Sequence, residues 1–375
     1  MKIPAIFDTS DRARTAWKTT ATVCRLVMAV TFIFSGFVKS VDPWGTALKI
    51  SEYMDSFGIQ QSDLYRFGFA IWLCAAELMM GCMLLFKVRL RLITLFALCT
   101  MTIFTAVTFI LAVWEPVSDC GCFGDAVKLT NWQTFFKNLI LWPMSMVIFY
   151  AALDGRFFPL TRREVILTLL FMTMSGGLGA YCYRHLPLID FLPYKKGVNL
   201  REAMMTESGE TATTLIYRDL SDGSLREFSL EDTTWYDESR WEYVSTQVES
   251  TAVTAAPTLR EFALFDAEGD ATEEILSYTG RTWMLCVSKL ELLDDRCRRN
   301  MRRGTEQARS EGARIICVTS TPLSETTWLE FDGSEPVRCY NIDATTFVTM
   351  LRAKAGAVIL EDGVIVKKLN CRDIR

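Results

Sequence analysis

Apolar and polar positions divide this chain near its middle. In the first half, five apolar runs, 21–41, 67–86, 92–114, 132–153 and 165–183, each approach the ~20 residues that a helix needs to cross a bilayer core. Leu92–Trp114 contains no charged residue at all. The fourth run is interrupted by Lys137, Asn138 and Pro143, and proline is tolerated in membrane helices where neighbours satisfy the freed carbonyl. The first run begins late, is long and is followed by no small-x-small cleavage site, so it is expected to stay as a span rather than act as a signal peptide. The second half switches to short apolar runs separated by turn residues. Leu186–Pro193 reads as an extended exit, and strands are expected at 214–218 and 225–230 around the turn residues Asp222-Gly223. Ser250–Pro257 reads as a connector. Buried strands are then expected at 283–287, 314–318 and 357–360, with a helix over 293–310 and a hairpin through Glu361-Asp362-Gly363 into 364–366.

Charge follows the same division. Residues 1–186 carry 17 Lys and Arg against 12 Asp and Glu, whereas residues 187–375 carry 23 against 32. A basic apolar half followed by an acidic polar half implies a membrane domain and then a soluble one. No strongly basic domain is present, which argues against a nucleic-acid partner. Basic residues crowd alternate connections: Lys2, Arg12, Arg14 and Lys18 before the first run, Lys87, Arg89 and Arg91 after the second, and Arg156, Arg162 and Arg163 after the fourth. The positive-inside rule then places the N-terminus in the cytoplasm, and the third-to-fourth connection and everything after the fifth run outside it. Arg25 and Lys39, near the ends of the first run, are expected to snorkel to the headgroups.

The third-to-fourth connection reads Ser118-Asp119-Cys120-Gly121-Cys122-Phe123-Gly124-Asp125. Two thiols one residue apart, in an oxidising space, form either a static brace or a strained, exchangeable disulfide. A zinc site needs about four ligands, and His185 is the single histidine, so a metal is not expected. Cys182, at the outer end of the fifth run, is the candidate resolving thiol, while Cys24, Cys74, Cys82 and Cys99 read as small apolar packing residues. Glu77 lies mid-span, where a carboxylate costs at least ~2.5 kcal/mol and normally has a partner or a task. Its two readings are a proton path or quinone contact, and a hydrogen bond between helices.

In the soluble half, apolar strands joined by a helix and closed by a hairpin form an α/β pattern that resembles a thioredoxin-like domain. The match is incomplete. Where that family carries Cys-x-x-Cys after the first buried strand, this chain has Ser288-Lys289-Leu290-Glu291, and Ala355 stands where a cis-proline is expected. Cys297 is expected to be alone on its helix, Cys286 and Cys317 to be inert on core strands, and Arg296, Arg298, Arg299, Arg302 and Arg303 to form a solvated or headgroup-facing helix surface. Such a domain is a docking module rather than an exchanger.

The spans, Glu77 with Gly81 four residues on, and Asp119-Cys120-Gly121-Cys122-Phe123-Gly124 together resemble DoxX-like membrane proteins of the methylamine-utilisation MauE type. The resemblance implies an α-helical membrane bundle, a DoxX-like four-helix core plus a fifth transmembrane helix, over 1–186. An extracytoplasmic linker with a β-hairpin over 187–256 and an α/β thioredoxin-like soluble domain over 257–375 would follow. It further implies a bacterial inner-membrane protein with its C-terminal domain in the periplasm, a redox-accessory role supporting a periplasmic protein partner, and a quinone as candidate cofactor. The rival expectation is a non-catalytic membrane scaffold whose outer domain docks a partner. A small-molecule transporter is disfavoured, because too few charged residues lie within the spans.

Overall fold

The computed structural model describes residues 11–56, 58–59, 62–115, 117, 119–153, 161–206, 212–220, 225–229, 241–249, 262–289, 293–322, 328–331 and 335–374. The chain divides into two compact units between Leu192 and Pro193.

The first unit is helical: α1 (Asp11–Val41), α2 (Pro43–Ser56), α3 (Asp63–Leu85), α4 (Leu90–Trp114), α5 (Asn131–Ala151) and α6 (Arg162–Arg184). Of these, α1, α3, α4, α5 and α6 are long and apolar enough to cross a membrane, at the places where the apolar runs lie. Their large apolar side chains point outward as well as inward: Val30, Trp72, Ile103, Ile140, Leu169 and Met172 are exposed. A surface of that kind is stable in hydrocarbon and not in water. The helical unit is thus membrane-embedded.

Inside a bilayer there is little hydrophobic gain from helix contact, so close backbone approach has to hold the helices together. The antiparallel pair α1 and α3 shows this directly. A Cβ on Gly36 would lie 2.3 Å from the Leu78 nitrogen, and one on Gly81 would lie 2.6 Å from the Ile33 nitrogen. On α3 the two contacts fall at Leu78 and Gly81, within about a turn of Glu77, and hold it against α1. The starts of α5 and α6 are fixed by capping boxes from Thr130 with Gln133 and Thr161 with Glu164.

Arg25 does not snorkel. It is 9% exposed, and its Nη1 donates to the carbonyls of Leu84 (2.7 Å) and Leu85 (3.0 Å). The last carbonyls of a helix lack partners within it, and inside a membrane water does not supply them. The arginine fills that role for α3.

The second unit contains α7 (Leu200–Thr206), then β1 (Ala212–Asp219), β2 (Leu225–Ser229) and β3 (Trp241–Glu249), which form an antiparallel sheet in the order β2-β1-β3. The expected turn at Asp222-Gly223 and the connector Ser250–Pro257 lie outside the described residues. Next come α8 (Thr272–Leu276), β4 (Arg281–Val287), α9 (Asp295–Ser310), β5 (Arg314–Thr319), β6 (Trp328–Leu329), β7 (Val337–Asn341), α10 (Ala344–Leu351), β8 (Ala355–Glu361) and β9 (Val364–Asn370). They build a mixed sheet in the order β6-β7-β5-β4-β8-β9, with β4, β5 and β7 parallel and β8 antiparallel to β4. Trp283–Val287 is buried throughout, as befits a central strand covered on both faces.

Two placements depart from expectation. Residues 193–200, read as part of a linker, dock on the sheet edge: Gly197 donates to Ile365, Ile365 to Val198 and Leu200 to Gly363, and Tyr194 and Leu200 are fully buried. Cys297, expected to be alone, forms a disulfide with Cys371 across a separation of 74 residues, with Cα atoms 5.1 Å apart. The buried face of α9 (Cys297, Met301, Gly304, Ala308) turns the thiol inward, onto the chain leaving β9. Closing a loop of that length is worth roughly 4 kcal/mol in the unfolded-state entropy account. Replacing Cys371 by Ser should therefore lower the denaturant midpoint of the soluble unit in the full-length protein, read by hydrogen exchange of β4 and β8 amides, while leaving the helical unit unchanged.

Candidate functional site

The site is assembled where α1, α2 and α3 meet the connection between α4 and α5. Ser35 and Lys39 are one turn apart on α1 and so share a face. That face meets Glu77 of α3, and Lys39 Nζ lies 2.8 and 3.0 Å from the two carboxylate oxygens. Lys39 is 6% exposed and Glu77 2% exposed. The snorkelling expected of Lys39 is thus replaced by a buried ion pair, because a carboxylate this deep binds the ammonium more strongly than headgroups reachable only through a longer path. The Ser35 hydroxyl lies 2.7 Å from Glu77 Oε2 and 2.8 Å from the carbonyl oxygen of Cys122. The ion pair and the thiol loop are therefore linked through one hydroxyl.

The loop is tethered at several more points. From α2, the Tyr53 hydroxyl donates to the Cys120 carbonyl (2.7 Å), and Lys49 pairs with Asp119 (2.7 Å) as well as with Glu52 (2.7 Å). From α5, Asn131 donates to the Val117 carbonyl (2.8 Å), and Lys137 Nζ stands 4.3 Å above the Phe123 ring, whose edge also meets Phe34. Gly121 has φ of +63°, and a Cβ there would meet Lys49 Cγ at 3.1 Å, so the residue between the cysteines must be glycine for two reasons at once.

The clamp leaves Cys120 Sγ and Cys122 Sγ 3.1 Å apart and partly buried. That is contact between two thiols, about 1 Å longer than a disulfide bond. Their environments differ. The hydrogen bond shared with Cys120, together with the cations Lys137 and Lys39, holds Cys122 down at about 6, against the opposing effect of burial. The same hydrogen bond, with burial, pushes Cys120 far up. Burial and the neighbouring Cys120 also push the Tyr53 phenol up, keeping it a donor. Chemically, the arrangement is a stabilised thiolate beside a protonated thiol, the division of labour that thiol–disulfide exchange requires.

Of the sequence-derived residues, Cys120, Cys122 and Glu77 are brought together. Cys182 is fully buried on α6 and shares no hydrogen bond with either loop thiol among the described residues. Cys74, read as packing, is buried within reach of the Thr46 hydroxyl (3.7 Å). Among the described residues, no group of three or more His, Cys, Asp or Glu side chains is placed to hold a metal ion. Ser35, Lys39, Lys49, Tyr53 and Lys137 were not singled out as site residues. Lys39 and Lys137 did carry a signal, as charges within apolar runs, whereas Tyr53 lies on a helix that the pattern does not announce.

Residues 17–151 match the family model of methylamine utilisation protein MauE. The matched segment is a little over a third of the chain and takes in the thiol loop and every residue of its clamp. It stops at the end of α5, so α6 and the second unit lie beyond the MauE-like part. No curated protein and no solved structure matches the chain.

Removing one partner of a buried ion pair leaves an uncompensated charge, at a cost of about 3–5 kcal/mol. Lys39→Met should therefore lower the thermal midpoint of the detergent-solubilised protein sharply. The double variant Lys39→Met/Glu77→Gln should recover most of the loss, since no buried charge then remains.

Proposed function

We propose that the MauE-like segment is a thiol–disulfide exchanger of a bacterial inner membrane, with Cys120 and Cys122 at the periplasmic face. Its work is redox support for a periplasmic protein partner. The single observation that carries this reading is the clamped pair itself, two thiols in contact with opposite proton affinities. In the exchange, the Cys122 thiolate attacks one sulfur of a partner disulfide. That S–S bond breaks, one partner thiolate leaves, and a mixed disulfide forms on Cys122. Cys120 then loses its proton and attacks Cys122 Sγ, releasing the second partner thiolate. The partner gains two electrons and the loop becomes oxidised. Run in reverse, the loop disulfide oxidises a partner dithiol, and a two-electron acceptor of the quinone class reoxidises the loop. Glu77 holds Lys39 and Ser35 in place beneath the loop, and no step is assigned to Cys182.

The DoxX-like character of the bundle and the thioredoxin-like character of the last domain belong to the same reading. The order β5-β4-β8-β9, with α9 between β4 and β5, supports the latter. In the described part of that domain Cys286, Cys317 and Cys339 are buried and Cys297 is bonded to Cys371, which favours a docking role over exchange. A purely docking protein, a scaffold in which the loop disulfide is static, is the second reading that this favours.

The sidedness of the thiols makes the proposal testable. Cys120→Ser should accumulate a mixed disulfide with a partner, seen as a reductant-sensitive adduct, whereas Cys122→Ser should trap none. A double variant that keeps every phenotype, with no adduct from either single variant, rules the exchange out. Because the Cys122 thiolate is lost as pH falls through about 6, alkylation of the reduced protein should drop below that pH. Lys137→Met should move the midpoint upward.

A further inference from the structure

At the end of the helical unit opposite the thiol loop, a cavity of ≈ 470 Å³ opens among the start of α1, the turn between α3 and α4, and the end of α5. Its lining includes Trp17, Lys18, Arg25, Lys87, Ile148 and Ala151 and contains no carboxylate. Among the described residues, three cations thus face one space whose lining holds no acid. Arg25 is the deepest, nine-tenths buried, with Nη1 committed to the carbonyls that end α3. Lys87 is presented by a turn in which Lys87 and Arg89 both adopt left-handed backbone, at φ of +57° and +49°. Left-handed conformations at residues other than glycine persist only where the surroundings impose them. Trp17 is half-exposed, as an indole at the boundary of a bilayer is.

We propose that this cavity is a binding site for the headgroup of an anionic phospholipid. The phosphate sits among Lys18, Lys87 and Arg25, and Trp17 lies at headgroup depth. Two features favour a lipid over a soluble anion. The cavity lies at the ends of membrane-spanning helices rather than on an aqueous domain, and the wall that α5 and its end supply, Ile148, Ala151 and Ala152, is apolar. Basic pockets between transmembrane helices recognise lipid headgroups by this chemistry. The site is independent of the thiol reading, since none of its residues touches the loop.

The full-length protein, purified in detergent, would be analysed by native mass spectrometry after equilibration with equal amounts of phosphatidylglycerol and phosphatidylcholine. The proposal predicts preferential retention of phosphatidylglycerol. In the double variant Lys18→Gln/Lys87→Gln, both changes on side chains at the membrane boundary, affinity should fall roughly 30-fold, equivalent to about 2 kcal/mol for two basic side chains. Arg162→Gln/Arg163→Gln, at the same end of the bundle but outside the cavity, should retain the lipid as the native protein does. Equal retention of the two lipids, or undiminished retention by the Lys18/Lys87 variant, overturns the site. If inorganic phosphate protects the protein from thermal unfolding as well as phosphatidylglycerol does, the lipid assignment falls in favour of a free anion.

Discussion

The pairing of Lys39 with Glu77 is the constraint on which the membrane unit depends. Neither charge is stable alone at that depth, so α1 and α3 must align in one register, and Gly36 and Gly81 allow the close approach that the register needs. The pair then serves as a floor for the thiol loop. Ser35 passes its position to the Cys122 carbonyl, and Lys39 adds positive potential beneath the Cys122 sulfur. The connection between α4 and α5, residues 115–130, would otherwise be free to place its thiols anywhere on the membrane surface. Here three helices, α1, α2 and α5, hold Val117, Asp119, Cys120, Cys122 and Phe123.

The asymmetry of the two cysteines follows from the hydrogen bond between them and from the tethering that sets their neighbours. Both lie one bond from the same glycine, and their burial is similar. What separates them first is the hydrogen bond they share, which lowers Cys122 and raises Cys120, and next the cation Lys137 beside Cys122. Cys122 is held toward Lys39 and Lys137, while Cys120 is held by its carbonyl toward Tyr53, a neutral donor. The charge in the fourth span, which weakens that span as a membrane segment, is the same charge that stabilises the thiolate. Burial costs at a membrane site and function there are the same observation seen from two sides.

How much of this was legible in the sequence depends on how local each signal is. Span positions rest on length and hydropathy alone, and the apolar runs lie on helices that meet both criteria. The cysteine pair and Glu77 were visible because each is anomalous where it stands. Lys39 was visible as a charge but was misread, since nothing within α1 reveals a carboxylate 38 residues away. The helix α2, with a glycine and alternating polarity in Pro43–Ser56, shows no strong periodicity, so Tyr53 and Lys49 were hidden with it. In the second unit, β4, β5, β8 and the span of α9 followed from apolar runs and turn residues. The helix α10 did not, because Ala344–Leu351 is rich in Thr and Val, which have low helix propensity, and it is held by burial and by Asp343 capping Thr346. The bond from Cys297 to Cys371 needed three dimensions, since no spacing rule pairs residues that far apart.

The central claim is that the clamped pair cycles between dithiol and disulfide rather than bracing the loop permanently. Mass-tag alkylation of Cys120 and Cys122 in intact cells, with and without prior reductant, tests it most directly. The account predicts a mixture of reduced and oxidised loop whose ratio moves when the oxidising capacity of the medium is changed. A pair that is oxidised in every molecule under all conditions, and unlabelled until the protein is denatured and reduced, would contradict it.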